Sequence, residues 1–344
     1  MRYKLLGPSG LRVSEVALGT MTFGEDWGWG ASRDESRRIF DRFAEADGNF
    51  IDTSNNYTNG TAEGFVGEFV EGDREHFVIA TKFSLSTRRD DPNAGGNHPK
   101  NMVQSVDSSL RKLRTDRIDL LWLHMWDYTT PVEEIVRALD TLVRRGKVLH
   151  VGFSDTPAWV IAQAATISSI RGWAGPTAIQ LPYSIADRDP ERDLLPMARH
   201  FGLAVTPWGV LGGGVLTGKY GGRSDEPRRY GDEPQSEREL QLAKEVVAVS
   251  EEAGASPAQV AIAWMRHQDQ GTLVPILGAR TEGQIVDDLA ALELTLSADQ
   301  LARLEVASRI KLGFPHDFLA SDGVQSLIFG DTRDRIDRPR GARP

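Results

Sequence analysis

Residues 118–154 read IDLLWLHMWDYTTPVEEIVRALDTLVRRGKVLHVGFS. Ile118 to His124 is a short apolar run, and Val148 to Ser154 is another. Between them, Val132 to Arg145 places apolar residues three and four apart and carries its charges on the other face. Short runs predict buried strands, and the 3.6-residue period predicts an amphipathic helix. A strand, a helix and a second strand in this order predict two parallel strands joined by a crossover helix.

The same alternation extends in both directions. Further apolar runs lie at Phe50 to Asp52, Phe77 to Lys82, Ala178 to Leu181, Leu203 to Trp208 and Leu273 to Leu277, and Asn101 to Leu113 repeats the helical spacing. With Glu15 to Leu18 and a helix near Asp34 to Ala46, eight strand and helix pairs result. That count fits a closed (β/α)8 TIM barrel, which typically takes about 250 residues and accepts insertions. A doubly wound sheet is disfavoured because no GxGxxG follows an early strand. Tyr3 to Val13, with Gly7-Pro8-Ser9-Gly10 between short apolar segments, predicts a hairpin ahead of the first strand.

The expected organisation of residues 1–344 is a single domain, with its barrel core over about 3–310 and a C-terminal tail over 311–344. Ser84 to Lys100 and Gly221 to Glu237 are too polar for the core and are expected to be active-face loops. Gly330 to Pro344, rich in Arg and Asp, reads as flexible surface.

Composition narrows the function classes. The chain has 49 acidic and 40 basic residues, a net charge of -9, which argues against nucleic-acid or anionic-lipid partners. It has no cysteine, so disulfides, thiolate metal sites and thiol nucleophiles are excluded. Met1 to Gly10 has no apolar h-region, and no run of about 18 apolar residues follows, so a cytoplasmic protein with no membrane partner is expected. Oligomeric state is not legible.

Six polar or indole residues punctuate the strand ends: Asp52, Lys82, His124, Ser154, Gln180 and Trp208. In a barrel these ends share one rim, where active sites lie. Taken singly, each has an ordinary structural explanation. An acid, an ammonium, an imidazole and the nearby Tyr57 together make a proton-transfer set without a metal. No HExxH is present, and no metal ligand set is expected.

Asn49-Phe50-Ile51-Asp52-Thr53-Ser54-Asn55-Asn56-Tyr57 resembles the aldo-keto reductase segment that carries a catalytic Asp and Tyr five residues apart. Ala80-Thr81-Lys82 resembles that family's lysine strand, Ile118 to His124 its histidine strand, and Gly146-Lys147-Val148 with Gly152-Phe153-Ser154 is similar to a further family segment. The likeness is to the aryl-alcohol dehydrogenase and potassium-channel β-subunit branch, over about Tyr3 to Leu292. It implies that Asp52, Tyr57, Lys82 and His124 are catalytic, with Tyr57 protonating a carbonyl oxygen of a small-molecule substrate. A nicotinamide-binding regulatory subunit with little turnover and a metal-dependent sugar isomerase are the competing readings.

The resemblance also implies a cofactor site. Trp208 is expected to stack on the nicotinamide, Ser154 and Gln180 to bind its carboxamide, and Thr20 and Met21 to approach through backbone. Gly209, Val210, Leu211, Gly212 and Lys219 belong to the expected pyrophosphate loop. Gly213 to Lys219 reads GGVLTGK, the first seven places of a phosphate-binding P-loop, but Tyr220 stands where that motif needs a hydroxyl residue. Gly278, Arg280, Gln284, Asp287 and Asp288 resemble the adenosine-phosphate segment.

Two positions depart from the family pattern: Asp288 stands where Asn commonly contacts adenine, and Asp155 where Asn or Arg commonly follows the serine. NADP(H) is expected because Arg280 suits a 2'-phosphate, with NAD(H) as the alternative because of the added negative charge. Trp27, Trp29, Phe83, Trp126 and Tyr128 fall near strand ends and are expected to line a pocket for an apolar or aromatic carbonyl compound.

Overall fold

The computed structural model describes residues 1–212, 216 and 236–337. Strands β1 (Tyr3–Leu5) and β2 (Arg12–Ser14) form an antiparallel hairpin. Its turn holds Gly7 at φ 58°, where a Cβ would meet the Thr177 carbonyl oxygen at 2.0 Å, so only glycine fits. The hairpin plugs the barrel floor: Leu6 and Val13 are fully buried and cluster with Phe50, Val78, Leu120 and Trp122.

Eight parallel strands follow: β3 (Ala17–Gly19), β4 (Phe50–Asp52), β5 (Val78–Phe83), β6 (Ile118–Leu123), β7 (Val148–Ser154), β8 (Pro176–Pro182), β9 (Ala204–Trp208) and β10 (Ile276–Gly278). They hydrogen-bond in the order β10-β3-β4-β5-β6-β7-β8-β9. A bridge between Val205 and Leu273 joins the two ends into a barrel. The last strand, expected over Leu273 to Leu277, is split at Pro275. Pro275 has no N–H to donate, and its carbonyl instead accepts from Ala17 at 2.8 Å. Leu273 therefore faces β9 while Ile276 to Gly278 pairs with β3.

The period of two along each strand sorts the side chains. Phe50, Val78, Ala80, Leu120, Trp122, Ala178 and Ala204 fill the barrel, whereas Ile51, Ile79, Leu121, Leu123, Ile179 and Val205 pack outward against the helices. Gly152 makes room for the inward indole, because a Cβ there would meet Trp122 at 2.3 Å.

The surrounding helices are α1 (Arg33–Glu45), α2 (Thr61–Phe69), α3 (Pro99–Lys112), α4 (Val132–Arg144), α5 (Ala158–Arg171), α6 (Leu194–Phe201), α7 (Glu237–Ala253), α8 (Pro257–Arg266), α9 (Glu282–Ala290) and α10 (Ala298–Ser308). Helix α4 shows why they dock: its buried face is Val132, Ile135, Val136, Leu139 and Leu142. Each such side chain contributes roughly 1.5–3 kcal/mol on burial.

The C-terminal segment departs from the expected tail. It folds into α11 (His316–Ala320), α12 (Asp322–Phe329) and a 3-10 turn at Gly330–Arg335. Residues 338–344 of the polar tail, and all but Ser236 and Glu237 of the Gly221 to Glu237 loop, lie outside the described residues. Among the described residues no helix is long and apolar enough to cross a membrane.

Candidate active site

Asp52, Lys82, Trp122, Ser154 and Gln180 share the inward parity of their strands, so the barrel brings them to one end of its interior. Lys82 is fully buried. Its ammonium donates to Asp52 Oδ2 at 2.5 Å, to the Thr53 carbonyl at 2.8 Å and to the Tyr57 hydroxyl oxygen at 2.9 Å. An ammonium has three donors, and all three are used. Asp52 Oδ1 accepts from Trp122 Nε1 at 3.0 Å and Gln180 Nε2 at 2.9 Å, so both carboxylate oxygens are held.

Tyr57 opens a 3-10 turn, Tyr57–Gly60, that contains Thr58 at φ 45° and Asn59 at φ 58°. A β-branched residue at positive φ is strained, and strain of this kind collects at functional sites. Thr58 is locked there by donating to the Phe23 carbonyl at 2.6 Å. Because Tyr57 accepts the Lys82 proton, its own proton is free to point away. Lys82 Nζ also lies 4.5 Å from the Tyr57 ring centroid.

Burial pushes the Tyr57 phenol above its ordinary value, against the opposing pull of the Lys82 charge. Burial alone would lower Lys82, but the Asp52 carboxylate and the Tyr57 oxygen outweigh it and hold the ammonium above the usual lysine range. His124 is pushed down to about 3 by burial and by the Lys82 charge, so its imidazole is neutral. Its ring meets that of Tyr57 edge-on, with centroids 6.1 Å apart. Ser54 Oγ lies 3.3 Å from His124 Nδ1 and 2.6 Å from Asn56 Oδ1.

A second buried network backs this set. Glu63 on α2 has no exposure; it accepts from Thr81 Oγ1 at 2.6 Å and from Lys112 Nζ at 2.9 Å. Lys112 also donates to the Asn55 carbonyl at 3.3 Å. The loop carrying Tyr57 is thereby tied to α3 and to the neighbour of Lys82. The sequence reading missed Glu63, although a Glu amid the apolar residues of α2, three places after Gly60, was its available signal.

Several of the expected cofactor residues lie around the same rim. Ser154 Oγ is buried without a hydrogen-bond partner. Trp208 Nε1 donates to Asp155 Oδ1 at 3.3 Å. Thr20 N and Oγ1 both donate to the Asp52 carbonyl at 3.0 Å, with half-buried Met21 next in the chain. After β9, Gly209 and Gly212 take φ 71° and 57° and close a turn through a 2.7 Å hydrogen bond, with Val210 buried and Leu211 half-buried. Lys219 lies outside the described residues. Gly278 ends β10 opposite Gly19, and the Arg280 amide donates to Gln284 Oε1 at 2.8 Å at the start of α9.

Some expected residues do not join the site. Asp287 turns to the N-terminus of α8, accepting from Ser256 Oγ at 2.6 Å and Gln259 Nε2 at 2.7 Å. Its neighbour Asp288 is buried, and burial with the Asp287 charge pushes its carboxyl up to about 7. Phe83 has no exposure and packs with the helix layer, because it is one residue beyond the inward-facing Lys82 and so has the opposite parity.

The other pocket residues form two aromatic pairs, Trp27 with Trp29 at 5.8 Å and Trp126 with Tyr128 at 6.3 Å between centroids. Tyr128 is largely exposed. Asp127, between Trp126 and Tyr128, accepts from the Asn97 and Thr130 amides and pins the loop after β5 beside that after β6. Among the described residues no group of three or more His, Asp or Glu is placed to hold a metal ion.

A buried ammonium thus sits between a carboxylate and a tyrosine, with a neutral histidine beside them, at the barrel's strand ends. The chain belongs to the aldo/keto reductase family, whose model matches residues 15–309. It is 38% identical to the norsolorinic acid reductase of Emericella nidulans, over 92% of this chain and 84% of that protein. It is 37% identical to the aryl-alcohol dehydrogenase [NADP(+)] of Phanerodontia chrysosporium, over 97% and 90%, and 35% identical to a putative aryl-alcohol dehydrogenase of Saccharomyces cerevisiae, over 91% and 88%. The protein is thus an oxidoreductase acting on CH–OH and C=O groups.

Proposed function

We propose that this enzyme reduces an aldehyde or ketone to the alcohol using NADP(H), with Tyr57 as the general acid. The observation that carries the reading is the full use of the Lys82 ammonium on Asp52, Thr53 and the Tyr57 oxygen. That arrangement leaves the phenolic proton as the one mobile proton facing out of the cluster. Lys82 donates to the oxygen that becomes negative as the proton leaves, and Asp52 keeps Lys82 charged.

His124 orients the substrate. The Ser54 hydroxyl spends its one proton on Asn56 Oδ1 and lies 3.3 Å from Nδ1; in the tautomer protonated at Nε2 the neutral ring offers that proton to the carbonyl oxygen, beside the Tyr57 hydroxyl. A nicotinamide held by the residues below would supply the hydride for the carbonyl carbon.

The residues present fit that cofactor. Ser154 Oγ, buried without a partner, suits a carboxamide. Trp208 offers an indole face at the end of β9, and the Gly209–Gly212 turn leaves backbone free of Cβ atoms at its ends. Arg280 at the N-terminus of α9 suits a 2'-phosphate, which favours NADP(H), as does the NADP(+) in the name of one relative. The paired aromatic rings, together with relatives named for aryl alcohols and norsolorinic acid, favour an aromatic carbonyl substrate.

Fluorescence titration with NADPH and NADH, followed by aromatic and sugar-derived aldehydes in excess chelator, tests this reading. Tighter NADPH binding and chelator-insensitive reduction of aryl aldehydes are expected. Equal affinity for the two cofactors, or turnover of sugar-derived aldehydes alone, would remove the corresponding assignment.

A further inference from the structure

Asp155 is the first residue beyond β7, directly after Ser154. Its backbone sits at φ 38°, a left-handed conformation that is uncommon outside glycine and costs of order 1 kcal/mol. Three neighbours hold it there. Its amide donates to the Gln180 carbonyl and its carbonyl accepts from the Trp126 amide, each at 3.3 Å. Its Oδ1 accepts from Trp208 Nε1, also at 3.3 Å.

The residue is therefore fixed between the loop after β6 and the Trp208 indole, and among the described residues its carboxyl makes no ion pair. The Lys82 charge acts on it from a distance, but the three protons of that ammonium are committed elsewhere. The hydrogen bond from the Trp208 indole to the Asp155 carboxylate is neutral and long, at 3.3 Å. Burial accordingly pushes this carboxyl above the usual carboxylate range. A half-buried carboxylate without a direct ion-pair partner is costly unless a further cation enters its surroundings.

We infer that Asp155 selects the redox form of the cofactor, its carboxylate favouring the oxidised, positively charged nicotinamide over the neutral reduced ring. The inference rests on the cofactor placement proposed above, with Trp208 and Ser154 at the nicotinamide. The two forms differ by one positive charge on the ring. An anion fixed beside Trp208 attracts only the charged form, and across a partly buried site the difference is on the order of tenfold or more in affinity.

This selectivity has a chemical consequence. Positive charge develops on the ring as hydride leaves, so Asp155 assists reduction on the enzyme and slows release of the oxidised product. The same negative charge opposes loss of the Tyr57 proton. Turnover mixes these two effects, whereas binding isolates the first.

The test compares dissociation constants of NADP+ and NADPH for the wild-type protein and Asp155→Asn, measured by fluorescence titration. Asn keeps the acceptor for Trp208 and tolerates positive φ, so the local fold is preserved. The expected result is about tenfold weaker NADP+ binding, with NADPH changed less than about threefold. Equal weakening of both forms would mark Asp155 as merely structural, and an unchanged ratio would overturn its electrostatic role. If the wild-type protein binds neither form, the cofactor assignment itself falls and takes this inference with it.

Discussion

Lys82 Nζ lies 2.9 Å from the Tyr57 hydroxyl and 2.5 Å from Asp52 Oδ2, with no solvent exposure of its own. Removing one partner of a buried ion pair leaves an uncompensated charge and costs about 3–5 kcal/mol. Lys82→Met is expected to destabilise the fold by that amount in urea unfolding, because Asp52 then keeps only Trp122 and Gln180 as donors. Adding Asp52→Asn should restore part of the loss. A single Lys82→Met variant as stable as wild type would show that the pair carries no such coupling.

His124 gives a prediction about pH. Its folded value of about 3 lies below its ordinary 6.5, so the neutral ring contributes stability that is fully present above about pH 6.5 and fades as pH falls toward 3. The carbon-bound ring protons of His124 should therefore show no titration between pH 5 and 8 in NMR spectra. A midpoint near 6.5 would mean the imidazole is charged at work and the proposed orienting role is wrong.

Asp288 shifts the other way. Its carboxyl is pushed up to about 7 from 3.8, so the folded chain holds a proton that the unfolded chain has released. Stability attached to this proton is present below about pH 3.8 and is lost as pH rises through 7. Asp288→Asn should thus raise the melting temperature of the cofactor-free protein more at pH 8 than at pH 4, by a margin worth about 2–4 kcal/mol. A difference that is constant with pH would contradict a buried, proton-bearing Asp288.

The barrel and the rim were legible because both follow from period. Short apolar runs alternating with amphipathic segments fix strand and helix identity, and polar residues at run ends collect on one rim. Parity was the part read too coarsely. Lys82 and Phe83 are adjacent, so only one can face inward, and Phe83 packs outward. Asp287 and Glu63 escaped for a different reason: their partners Ser256, Gln259, Thr81 and Lys112 lie 18 to 49 residues away, and no local pattern announces those contacts. The segment after Ser308 was unreadable by burial pattern, since Phe314, Phe318, Leu327 and Ile328 stay exposed.

The most direct test of the account is Tyr57→Phe. Removing one hydroxyl leaves the ring, the Lys82 and Asp52 pair and the cofactor residues in place. Reduction of an aryl aldehyde is expected to fall by about 10²–10⁴-fold while NADPH affinity stays within about twofold. Turnover at the wild-type rate would contradict the assignment of Tyr57 as the proton donor.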